Sequence, residues 1–151
     1  MRIRDDEDLN SRVISYIYKG NYKMVETLFD IGFLRPDDTF DITGRGGRGN
    51  PEDSDTMLSH IARWPCPNYK ELIDILLKNG SSINYGYMCS PLQTAITYRN
   101  FPTAAYLMHK GGEYVIEEVY NHINLINEVN KELDILVKGC DEWRGIPLYG
   151  H

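Results

Sequence analysis

The sequence predicts an all-α protein: a solenoid of stacked helix-turn-helix repeats with hairpin-like loops and a long insertion between repeats one and two. Three observations predict it. Apolar residues recur at helical spacing in paired short segments; glycine closes each pair, at Gly32, Gly80 and Gly111; and the stretch between the first two pairs is a polar run of Gly, Asp and Arg. A helix pair cannot cover its own apolar stripe, so neighbouring pairs must stack to bury it.

The first pair spans about 9–34. Val13, Ile14 and Ile17 mark one helix, Gly20-Asn21 a break, and Met24, Val25, Leu28 and Phe29 a second helix that ends at Gly32. The insertion, 35–55, is poor in apolar residues and is expected to be a mobile surface loop with solvated carboxylates at Asp37, Asp38 and Asp41. The second pair spans about 56–85, with a proline-containing break at 64–68. Its second helix has the strongest pattern in the chain: Leu72, Ile73, Leu76 and Leu77 form one stripe, and Lys70, Glu71, Asp74 and Lys78 the other face. The third pair, 90–112, reads as turn, short helix, loop, second helix and glycine stop. After it, 113–139 is expected to be a terminal cap of two helices, 113–125 and 127–138, followed by a tail at 140–151 that contains Trp143, Pro147 and Tyr149.

A length of 151 residues suits one domain, and a net charge of -6, from 16 basic and 22 acidic residues, opposes long-range approach to nucleic acid or anionic membrane and favours a basic partner. Cys66, Cys89 and Cys140 are odd in number and widely spaced, as expected of reduced thiols and not of a disulfide framework or zinc site. The N-terminus has no apolar stretch behind its arginines, and no segment approaches the ~18 apolar residues of a spanning helix, so a cytoplasmic location is expected. His60, His109, His122 and His151 lack metal-binding spacing; no metal and no cofactor are expected. Cys66 lies near His60 in sequence, but a small buried thiol is the commoner role.

Ser90-Pro91-Leu92-Gln93-Thr94-Ala95 resembles the ankyrin repeat signature T-P-L-H-x-A, departing at Gln93. Thr56-Met57-Leu58-Ser59-His60-Ile61-Ala62 keeps the Thr, the Leu and an Ala, and Gly80-Ser81-Ser82-Ile83-Asn84 resembles the family's G-A-D-V-N ending. Gly80 and Gly111 are about 31 residues apart, near the ~33-residue ankyrin period, whereas Gly32 and Gly80 are about 48 apart, which the insertion accounts for. The resemblance covers about 9–112. It implies protein binding through hairpin tips and the concave face of the first helices, and it carries over no catalytic residue.

Candidate partner-binding residues follow. Tyr85, Tyr87 and Met88 fall where a hairpin tip would project, and Trp64, Tyr98 and Arg99 at the ends of first helices, adjacent if the repeats stack. Arg45 and Arg48, with Asp53, lie in the insertion, where they would order against a partner. The expected function is therefore a non-enzymatic protein-interaction module of inhibitor or immunity type that blocks a basic protein, with no small-molecule substrate. The competing class is nucleic-acid or nucleotide binding through the Arg-Gly-rich loop 44–49, which lacks the Lys-Ser/Thr of a phosphate loop.

Overall fold

The computed structural model describes residues 7–42, 54–86, 89–113 and 123–136. The described chain is mostly helical. Its elements in order are α1 (Glu7–Tyr18), α2 (Tyr22–Asp30), β1 (Thr39–Asp41), β2 (Ser54–Thr56), α3 (Met57–Arg63), α4 (Tyr69–Lys78), α5 (Pro91–Thr97), α6 (Phe101–His109) and α7 (Ile123–Leu136).

The same backbone devices recur from pair to pair. Each second helix ends on a glycine with positive φ, and the closing bonds repeat residue for residue. Gly32 N–H donates to Phe29 and Phe33 to Leu28; Gly80 donates to Leu77 and Ser81 to Leu76; Gly111 donates to Met108 and Gly112 to Leu107. This Schellman closure satisfies carbonyls that the helix itself leaves unpaired. The first-helix ends repeat likewise. Gly20 donates to Ile17 and Asn21 to Tyr16, while Arg99 donates to Ile96 and Asn100 to Ala95. Starts are capped by short polar side chains: Thr56 accepts from Ser59 N–H at 3.2 Å, and Ser90 from Gln93 N–H at 3.1 Å. Such a cap contributes about 1 kcal/mol.

Helix α1 packs on α2 and α3, α2 on α4, α3 on α5, α4 on α6, and α6 on α7. Val13, Ile17, Leu58, Ile61, Leu72, Ile73, Leu76, Leu92, Ile96, Leu107, Val129 and Leu133 are buried in one core. Burying each such side chain contributes about 1.5–3 kcal/mol.

Polar clamps join the turns as well as the faces. Asn68 Nδ2 donates to the Gly20 carbonyl at 3.0 Å, and Asn100 Nδ2 to the Ile61 and Ala62 carbonyls at 3.2 Å each. The three first-to-second helix turns therefore sit side by side at one edge. At the other end of the helices, Ser81 donates to the Pro36 carbonyl at 2.6 Å, and Asn84 accepts from Glu113 N–H at 2.8 Å. Gly20 has no alternative at its turn: a Cβ there would lie 2.3 Å from the Pro67 carbonyl oxygen.

Three expectations are corrected. The insertion is not loop throughout, because its two ends pair as an antiparallel sheet with Thr39 opposite Thr56, Phe40 opposite Asp55 and Asp41 opposite Ser54. The reason is burial: Phe40 enters the core, and Asp41, Ser54 and Asp55 are buried with it, so Asp41 is not solvated. The expected helix break near residue 126 is absent, and α7 runs through it; no glycine or proline stands there to stop it. Of the first helices, α3 and α5 do not offer the exposed face that the resemblance implies, since Met57–Ala62 and Pro91–Ile96 are buried throughout, whereas α1 exposes Ser11, Arg12 and Ser15. The expected tail, 140–151, lies outside the described residues.

Candidate functional site: an aromatic edge at the helix turns

Helices α3 and α5 emerge from the core only at their C-terminal ends. There Trp64, following α3, and Tyr98, following α5, are 52% and 51% exposed, with ring centroids 6.3 Å apart and planes inclined at 51°. Large aromatic side chains held half in solvent by buried helices are the residue type and setting of binding hot spots.

Arg63 fixes this pair from beneath. Its guanidinium carbon lies 5.5 Å from the centre of the Tyr98 ring, and Nη2 donates to Asp55 Oδ2 at 3.3 Å. The two charged side chains are only 13% and 7% exposed, so the pair is largely shielded from solvent. Asp55 Oδ1 also accepts from Thr56 N–H at 2.8 Å, while Arg63 Nη1 is buried with no acceptor among the described residues. The α3 guanidinium is thus bonded to Asp55 of the sheet and lies against the Tyr98 ring.

His60 bolts the same sheet to the helices. It is fully buried; Nε2 donates to the Phe40 carbonyl at 2.9 Å and Nδ1 accepts from the Tyr18 hydroxyl at 3.0 Å. Burial is the main reason that its pKa is lowered from 6.5, partly offset by the Phe40 carbonyl. Both ring nitrogens are occupied, and burial pushes the Cys66 thiol up to about 11, with Sγ directed at the Trp64 carbonyl at 3.3 Å. At neutral pH that sulfur is a thiol, which is a poor nucleophile.

The structure brings together some of the sequence candidates and separates others. Trp64 and Tyr98 are neighbours, with Arg99 next in sequence at the same turn, though at the helix-turn edge and not on a concave helix face. Tyr85, 51% exposed, stands at the other end of α3, where its carbonyl accepts from the cap residue Thr56 at 3.4 Å. Arg45, Arg48, Asp53, Tyr87 and Met88 lie outside the described residues. Sequence reading missed Arg63, Asp55, Tyr18 and Phe40, and weighed His60 only as a metal ligand or as the neighbour of Cys66. Their one signal was a His and an Arg at i, i+3 on a short, mostly apolar helix, a polar stripe that needed a partner.

A cleft of about 170 Å³ adjoins the edge, lined by Tyr69, Lys70, Pro102, Ala105, Glu132 and Ile135. That is below the ~300 Å³ of ordinary small-molecule sites. Among the described residues no helix is long and apolar enough to cross a membrane, and no cluster of three or more His, Cys, Asp or Glu could hold a metal. The chain matches no family model, no curated protein and no solved structure.

Proposed function

We propose that the chain is a non-enzymatic protein-binding module built of ankyrin-like stacked repeats, acting as an inhibitor or immunity-type protein. The observation that carries this reading is the Trp64–Tyr98 pair, half exposed yet fixed by Arg63 and by two helices that are otherwise buried. Rigid aromatic anchors lose little conformational entropy on binding, which is why such residues dominate interface energetics. The repeated glycine closures and the ladder of turn-to-turn clamps support the repeat reading. The net charge of -6 speeds association with a partner of positive overall charge in the cytoplasm.

The test is affinity capture from the native host's lysate with the tagged protein beside a Trp64→Ala/Tyr98→Ala variant, followed by calorimetry with the purified partner. Both side chains are half exposed, so the variant should unfold at nearly the wild-type temperature. A stoichiometric protein partner whose affinity falls about 30-fold or more in the variant is the expected result. A partner held equally by both proteins removes the edge from the interface. Nucleic acid as the sole retained species removes the protein-binding reading.

A further inference from the structure

We infer that the aromatic edge receives an acidic peptide segment of the partner, an inference that rests on the edge being an interface. Its local charge has the opposite sign to that of the chain. The three turns, residues 18–24, 63–70 and 97–103, contain Lys19, Lys23, Arg63, Lys70 and Arg99 and no Asp or Glu, although the chain has 22 acidic residues against 16 basic. The clamps from Asn68 to Gly20 and from Asn100 to Ile61 and Ala62 put these turns in one row, beside the turn residues Trp64 and Tyr98.

Arg63 is already neutralised by Asp55, and Lys70 lies 6.0 Å over the Tyr69 ring. Lys19, Lys23 and Arg99 are exposed and form no ion pair among the described residues. Helices α2 and α6 begin at this edge with no acidic residue in their first turns; α2 is capped by the Asn21 side chain, α6 has no side-chain cap, and Glu71 is the one acidic residue in the first turn of α4.

Arg99 adds an independent mark. It holds φ at 58° in the turn position where the first pair has Gly20, a conformation that disfavours any residue bearing a Cβ. Its side chain is exposed and makes no hydrogen bond among the described residues, so nothing within the described fold rewards an arginine there. Strain of this kind collects where a side chain serves a ligand.

An acidic peptide fits better than a polynucleotide. A peptide needs few charge contacts and can seat an apolar side chain against Trp64 and Tyr98. A polyanionic backbone draws its affinity from many simultaneous phosphate contacts and would approach against the chain's net charge of -6. Long-range steering by the net charge and short-range recognition by the edge then act on different parts of the partner.

The experiment is selection of a displayed library of short random peptides on the full chain, with single-stranded oligothymidylate as the nucleic-acid probe. Selected peptides are remeasured on Trp64→Ala/Tyr98→Ala, on Lys19→Gln/Arg99→Gln and on Lys19→Glu/Arg99→Glu, with circular dichroism and thermal unfolding to show that each variant is folded. The expected result is enrichment of sequences with Asp or Glu beside an apolar residue, weakened about tenfold by the neutral pair and abolished by the acidic pair. Neutral or basic peptides that still require Trp64 and Tyr98 overturn the inference and leave the binding function standing. A library without binders overturns it as well, and oligothymidylate binding with a steep salt dependence would assign the edge to nucleic acid and overturn both readings.

Discussion

Replacing Asp55 by Asn isolates one charge at a buried ion pair that carries the aromatic edge. An exposed pair contributes about 0–1 kcal/mol, and its loss would scarcely register. The side chains of Arg63 and Asp55 are 13% and 7% exposed, however, and removing one partner of a buried pair typically costs about 3–5 kcal/mol, because an uncompensated charge remains. Arg63 lies near solvent at the Tyr98 edge, so the low end, about 3 kcal/mol, is expected, or roughly 6–12 °C in Tm for a domain of this size. The amide would also turn an NH2 group toward Arg63 Nη2, donor against donor. Arg63→Met should cost a similar amount by removing the one guanidinium paired with the buried Asp55 carboxylate among the described residues. The double variant should cost less than either single change, since no charge is left and the unpartnered Nη1 is gone. Urea unfolding followed by far-ultraviolet circular dichroism measures all three. A cost below about 1 kcal/mol for Asp55→Asn, or a double variant whose cost is the sum of the singles, would refute the reasoning.

Arg99→Gly should raise stability by up to about 1 kcal/mol in the same urea assay by relieving its φ of 58°, while weakening capture of the partner. Stability should fall as pH drops below 6.5: His60 has a lowered folded pKa, so the unfolded chain takes up the proton first, and the loss continues down to the folded value. His60→Gln should flatten that part of the pH profile measured by urea midpoints, and an unchanged slope would refute the assignment to His60. Cys66, with its thiol pushed up to about 11, should resist iodoacetamide at neutral pH in the folded protein while half-buried Cys89 is alkylated, as peptide mass spectrometry would show.

The helices were legible in the sequence because their causes are local. The stripe of Leu72, Ile73 and Leu76, the stop at Gly80 and the caps at Thr56 and Ser90 each act within one or two turns of chain, and each stands where its pattern places it. Asp55 reads as one more carboxylate in a polar loop until Arg63 reaches back to it. Phe40 reads as a stray aromatic until the core closes over it, and the β1–β2 pairing depends on residues separated by the whole insertion.

The sequence by itself therefore determined the helical class, the pairing of short helices and the residues that start and stop them, because backbone hydrogen bonding and apolar periodicity are short-range properties. Only the tertiary structure decided that Trp64 and Tyr98 meet, that Tyr85 stands at the opposite end of α3, and that three separate turns rich in Lys and Arg sit side by side on an acidic chain. Those facts depend on which distant segments share the core, and burial and charge pairing act on distance in space, not on distance along the chain.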